Sequence, residues 1–334
     1  MNVLAGHDHI VEILERTAKE GRPAHAYLFT GREGVGKKMA AVRFACMLNC
    51  ANPPDGPDCT CPTCRRINSE THPDFTVERP ERGMIRIERV RLLQNSFKFA
   101  PAEARFKVAV IDDAHLMNRS AQNALLKTLE EPPPARVMVL VTSKPFLLLS
   151  TVRSRCRRMR FGPIPLESLA GILEERMGMR PDKARALAAL SGGSVSRALE
   201  MDSANVVPLR KQIVAALTDP GSLGIAGVLE LSAAISADRK KTVDAIEIAT
   251  SWVRDLLVHK ARGASSEIIN QDLLDRILDT AQHHGGDELL MVYDELLKAS
   301  ELVEADMNVN RNLATDLMFI RIARILAGPT MGAT

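Results

Sequence analysis

Aromatic residues are scarce in this chain, 4% in all with one Trp and two Tyr. Proteins that stack bases on exposed rings need more than that, so nucleic-acid platforms of the RRM or OB kind are not expected. Excess charge is equally scarce. Forty-four Lys and Arg against 41 Asp and Glu leave a net +3, too mild for a protein that coats nucleic acid on its own. Any DNA contact is expected to be local or shared with partners. No apolar run approaches the roughly 18 residues of a membrane span. Residues 1–9 are polar, with no cationic start leading into an apolar stretch, which reads as the absence of a signal peptide and predicts a cytoplasmic protein. The balance of 46% hydrophobic and 25% charged residues excludes a disordered chain. At about 150 residues per domain, 334 residues suggest two or three domains.

Cysteine is unevenly placed. Four of the six fall within fifteen residues, at Cys50, Cys59, Cys61 and Cys64. In a reducing compartment such a cluster points to metal rather than disulfides. Four thiolates around Zn²⁺ leave no open coordination position, so the predicted site is structural. Pro53, Pro54, Gly56, Pro57 and Pro62 supply turns that bring the sulfurs together. A single residue separates Cys59 from Cys61, and Cys46 lies one helical turn before Cys50, so Cys46 is an alternative ligand. The competing reading is a loop of free thiols. Cys156 stands apart and reads as a small buried side chain.

From Ala24 to Phe161 short β-type runs alternate with amphipathic helices, the pattern of a parallel sheet covered on both faces. The clearest strands are Ala26–Thr30, Lys107–Ile111 and Arg136–Thr142, each nearly all apolar. After Phe161 the β signals end. Three short helices are predicted over Leu166–Met177, 182–190 and 194–201, with a second break at Pro208. Beyond it the pattern is helical throughout: Val243, Ile246, Thr250, Val253 and Leu257 share one face, and 289–303 and 313–326 repeat the periodicity. The predicted architecture is an α/β P-loop domain over 1–162 that carries the zinc module (50–64), a small three-helix lid over 163–206, and an all-α C-terminal domain over 207–334.

The run GREGVGKK follows the first strand and opens a helix, the context a P-loop requires. Gly31, Gly34 and Gly36 let backbone N–H groups wrap a phosphate, and Lys37 is placed to reach the outer phosphates. The next position, where Ser or Thr ordinarily binds Mg²⁺, is Lys38. A second cation there opposes the metal. About seventy residues on, the apolar run ending at Ile111 is followed by Asp112 and Asp113, a Walker B element in which the acid that polarises the attacking water is Asp instead of Glu, one methylene short. Both departures argue for slow or absent hydrolysis, and for a site that need not hold ATP·Mg²⁺.

Five Arg fall in the eight residues 153–160. Arg157, Arg158 and Arg160 read as a solvated basic edge. Ser154-Arg155-Cys156 resembles the SRC motif of clamp-loader ATPases, in which the Arg acts on the nucleotide of a neighbouring subunit. Residues 120–133, SAQNALLKTLEEPP, are similar to the segment that follows Walker B in those proteins. His72-Pro73-Asp74-Phe75 resembles the motif after their zinc module, and the run from Asn308 through Asn310 and Asn312 resembles the start of their last collar helix. The chain is thereby identified as similar to the bacterial DNA polymerase III clamp-loader subunits of the AAA+ family over nearly its whole length.

The resemblance implies a RecA-like domain, a lid and an oligomerising collar. It also implies a hetero-pentamer with the motor subunits (gamma and tau) and a delta subunit, and contact with a sliding clamp and primer–template DNA through the complex. The family's lid motif, GSxRDAL, is here GSVSRAL, with Arg197 one place late. Three departures at the chain's own site and an intact Arg155 for a neighbour's imply a subunit that does not hydrolyse ATP. The rival is an active AAA+ ATPase, a motor subunit or a helicase loader, and a different class is a stand-alone zinc-dependent DNA-binding protein. Only Arg65 and Arg66 follow the cysteines, and the five Arg of residues 79–91 alternate with Glu78, Glu81 and Glu88, a mixed-charge surface instead of a DNA patch.

Overall fold

The computed structural model describes residues 6–50, 59, 61–263, 268–304 and 311–327. Residues 1–5, the turn residues Pro53, Pro54, Gly56 and Pro57, and the Asn308 to Asn310 part of the C-terminal motif lie outside them. No helix among the described residues is long and apolar enough to cross a membrane.

The first compact unit comprises Met1–Leu169 with Gly193–Ser196. Its sheet has five parallel strands, β1 (Ala26–Thr30), β2 (Phe75–Glu78), β3 (Lys107–Ile111), β4 (Arg136–Thr142) and β5 (Arg157–Arg160), in the order β2-β3-β4-β1-β5. The three strands expected from apolar runs appear with the expected bounds, because both faces of the sheet are covered. Alternation along the strands divides the core. Tyr27, Phe29, Val108, Val110, Val137, Val139 and Val141 pack with α1 (Asp8–Glu20) and α2 (Lys37–Asn49). Ala26, Leu28, Ala109, Ile111, Met138 and Leu140 pack with α4 (Ile87–Lys98), α5 (Arg119–Glu130) and α6 (Ser150–Arg153). A short helix, α3 (Pro62–Asn68), follows the cysteine cluster. Pro62, expected in a turn, is its first residue, where the missing N–H costs nothing.

The second unit comprises Ala170–Gly192 with Arg197–Thr334. The predicted lid helices appear as α7 (Leu166–Met177), α8 (Pro181–Leu190) and α9 (Val195–Ser203), followed by α10 (Val206–Thr218), α11 (Pro220–Ser236), α12 (Arg239–Arg262), α13 (Leu274–His283), α14 (Gly286–Glu304) and α15 (Arg311–Ala327). The break expected at Pro208 falls earlier, at Asn205, whose φ of 54° is left-handed. Pro208 sits in the first turn of α10, where a proline is tolerated. Helix α12 is buried more widely than one stripe. Trp252, Ala249, Ile248 and Leu256 are buried with Ile246 and Val253, while Val243, Thr250 and Leu257 are half-buried. It also carries a polar clasp: the buried Asp255 carboxylate accepts N–H groups from Ile269 and Asn270, and Arg210 binds Asn270 and Asp272.

The His72 to Phe75 motif has a local structural explanation. The fully buried Asp74 carboxylate accepts the backbone N–H groups of Ala102 (2.8 Å), Glu103 (2.8 Å) and Ala104 (3.0 Å), with Lys107 Nζ 3.6 Å away. His72 Nδ1 accepts the Asp74 N–H. Burial pushes the Asp74 carboxyl up, but the three N–H bonds and Lys107 outweigh it and hold the group below the usual carboxylate range. A depressed pKa stabilises the fold above the unfolded-state value of about 3.9, and that contribution is lost as pH falls through the folded-state value. Asp74→Asn is therefore expected to cost about 2 kcal/mol at neutral pH. In urea titrations the gap from wild type should close in acid; a gap independent of pH would refute the assignment.

Candidate functional site

The loops that follow β1, β3 and β4 emerge at the carboxyl edge of one parallel sheet, where α/β folds bind ligands. Strand β4 lies between β1 and β3, in a register that aligns Thr30 with Thr142 and Ile111 with Leu140. The P-loop and the Walker B acids are brought together across it. Lys38 Nζ stands 3.6 Å from Asp112 Oδ2, so the residue in the metal-ligand position and the acid that would hold the metal form an ion pair. Lys37 is buried and donates to Gly31 O (2.8 Å) and Arg32 O, which brace the loop. Burial lowers its pKa, against the opposing pull of Asp113, Glu33 and Asp112.

Two of the loop glycines are required by close approach as well as by positive φ. A Cβ on Gly31 (φ 153°) would fall 2.4 Å from Phe161 O. On Gly34 (φ 73°) it would fall 2.2 Å from Ser194 Oγ and 2.8 Å from Ser196 Oγ. Gly34 O also accepts the Val195 N–H at 3.0 Å, so Gly193–Ser196 folds against the P-loop within the first unit. Gly36 (φ 90°) caps α2.

Asp113 is itself left-handed (φ 48°, ψ 47°), and its carboxylate is 4.0 Å from His115 Nδ1. Burial lowers the His115 pKa while Asp113 opposes the shift. His115 Nδ1 lies 3.2 Å from Thr142 Oγ1, which also accepts the Lys144 N–H. Sequence reasoning missed Thr142, the polar last residue of β4 after the run Val137 to Val141, as it missed His7, whose Nε2–H donates to Val35 O at 2.9 Å. The signal for Thr142 was present as a polar end on an apolar strand.

Among the described residues Cys50, Cys59, Cys61 and Cys64 form one group, with all four sulfurs within 4.8 Å of one another. Cys50 Sγ is 3.4 Å from Cys59 Sγ and 3.8 Å from Cys61 Sγ. Four metal–sulfur bonds of about 2.3 Å in a tetrahedron place sulfurs about 3.8 Å apart, so the donor set fits a tetrahedral thiophilic ion. Cys61 caps α3 and accepts the Cys64 N–H, which lowers its pKa to about 7. Burial raises Cys64. Cys46 is pushed up to about 11 by burial, and its thiol faces Cys64 O (4.0 Å) and Asn68 Oδ1 (3.9 Å). Cys156 is half-buried, its thiol raised to about 12 by burial.

Arg155 lies just beyond α6. Its NH1 donates to Thr151 O at 3.0 Å and its NH2 meets Glu130 Oε1 at 2.8 Å; neither partner belongs to the P-loop. The backbone beneath it is fixed by Gln122, which donates to Met117 O and Leu147 O and accepts the Leu149 N–H. Arg157, Arg158 and Arg160 are exposed on the edge strand β5, the expected basic edge. Arg197 pairs with Asp244 (3.7 Å) and Glu247 within the second unit. The mixed-charge surface is paired as well: Arg89 meets Glu78 and Glu81, Arg79 meets Glu70, and Arg66 meets Glu103.

A family model described as DNA polymerase III, delta subunit, matches residues 6–165, and one described as its C terminal part matches residues 205–322. The chain is 30% identical to the DNA polymerase III subunit delta' of Pseudomonas aeruginosa over 92% of this chain and 93% of that protein. It is 27% identical to the delta' subunit of Escherichia coli over 94% and 93%. Against the tau subunit of Bacillus subtilis it is 29% identical over 87% of this chain, and it spans 47%, about half, of that relative's length. The two family-model matches and the near full-length match to a delta' subunit show that the chain belongs to the family of DNA polymerase III delta and delta' subunits.

Proposed function

We propose that this chain is the delta-prime subunit of a clamp loader: a non-hydrolysing end piece of a hetero-pentamer with gamma or tau and delta, acting in the cytoplasm to load a sliding clamp on primed DNA. The observation that carries this reading over a gamma/tau-like motor is the Lys38–Asp112 ion pair. An ammonium compensates the acid that Mg²⁺ would otherwise bridge to the phosphates, and Asp113 is too short to polarise an in-line water. In this reading residues 1–162 are the ATPase-like part, 163–206 the lid and 207–334 the collar.

The residue that acts is Arg155. Its guanidinium would reach the γ-phosphate of ATP on the adjacent motor subunit and neutralise charge that develops during phosphoryl transfer, a contribution of about 10³–10⁵ in rate for fingers of this kind. Cys50, Cys59, Cys61 and Cys64 would hold a zinc ion that ties the end of α2 to α3. Its role is structural, since four thiolates leave no position for substrate.

Arg155→Ala is expected to leave assembly intact and depress the DNA-dependent ATPase of the reconstituted complex; an unchanged rate would refute the finger. The wild-type chain alone should show no ATP·Mg²⁺ binding in micromolar calorimetry, and Lys38→Thr should introduce Mg²⁺-dependent binding. Micromolar wild-type binding with turnover abolished by Lys37→Ala would favour the motor reading. Native mass spectrometry should find one zinc per chain, lost in Cys64→Ser together with a fall in melting temperature. Full thermal stability without metal would count against the zinc assignment.

A further inference from the structure

The geometry points to Glu130 as the positioning residue for Arg155. This inference rests on the trans role proposed above and names what aims the finger. Glu130 is the last residue of α5, and Glu131 follows as its C-cap. Carboxylates at a helix C-terminus face the negative end of the macrodipole and are unfavourable there. Lys127 is the one basic residue of that last turn. The placement of Glu130 is therefore poor for helix stability and calls for a different account. That account is its contact, a 2.8 Å ion pair with Arg155 NH2.

The backbone of the finger segment needs no help from Glu130. Leu149 is tied to Gln122, Val152 is fully buried, and the Ser154 N–H donates to Ser150 O. What remains undetermined is the Arg155 side chain, whose rotamer freedom is worth about 2 kcal/mol. Glu130 fixes one terminal nitrogen and Thr151 O fixes the other. A guanidinium carries more N–H donors than these two contacts use, so the fork can stay anchored and still donate to an outside phosphate. The Glu130 side chain is 50% and the Arg155 side chain 36% exposed. An ion pair this wet adds at most about 1 kcal/mol to stability, so its effect falls on where the guanidinium points and not on whether the domain folds.

The test is a double-mutant cycle in the reconstituted complex, read as DNA-stimulated ATPase turnover. Glu130→Ala is expected to lower kcat about fivefold, within the coupling range of residues in direct contact, with KM for ATP unchanged. Glu130→Gln, which keeps an acceptor oxygen for NH2, should recover part of the rate. In the Arg155→Ala background Glu130→Ala should cost nothing further. Wild-type turnover in Glu130→Ala, or the same fivefold loss in the Arg155→Ala background, would overturn the positioning role alone. A wild-type rate for Arg155→Ala would overturn the trans role and this one with it.

Discussion

The site is organised by one electrostatic constraint, the carboxylate of Asp112 at the carboxyl edge of the sheet. Strand β3, apolar and buried from Val108 to Ile111, ends just before it, and β4 sets its separation from β1. Whatever stands at position 38 must then answer that charge. A hydroxyl would leave the compensation to a divalent ion; Lys38 supplies it from within the chain at 3.6 Å. With the Lys38 side chain 37% exposed and that of Asp112 20%, the pair adds little to stability. Its consequence, on the proposed reading, is chemical: the acid that would hold a metal already faces a cation of its own chain.

The three central strands were legible to the residue because burial on both faces leaves an uninterrupted apolar run. The edge strands were not. In β2 only Phe75 and Glu78 are buried, and in β5 only Met159, so neither carries a hydrophobic signal of useful length. Pro208 misled because proline breaks a helix interior but not its first turn. The stripe on α12 was read too narrowly because a helix with neighbours on several sides, here α10, α13 and α14, buries residues that period counting assigns to solvent.

Sites divide along the same line. The cysteine cluster, Gly31 to Lys38, and Asp112 with Asp113 are local in sequence, and spacing alone places them. Thr142 beside His115, His7 on Val35 and Ser194 against Gly34 join residues separated by 27, 28 and 160 positions, and no local pattern encodes such meetings. Glu130 and Arg155 were each visible in the sequence within a motif, but their pairing across twenty-five residues was not.

The two arginines that family resemblance singles out differ in how their charge is held. Arg197 answers Asp244, a carboxylate 4% exposed whose pKa burial raises and Arg197 lowers. Removing Arg197 would leave that buried acid with the weaker pull of Lys240, so part of this guanidinium's charge answers a desolvated carboxylate of its own chain. Arg155 is held by a carbonyl and a half-exposed carboxylate, contacts that water can replace cheaply. On the proposed trans reading, a side chain that is to meet a phosphate on another molecule is served by this second kind of anchoring, firm enough to aim it and weak enough to share it. The two arginine side chains are about equally exposed, 37% for Arg197 and 36% for Arg155, so what separates them is the acid each one meets: the Asp244 side chain is 6% exposed and that of Glu130 50%.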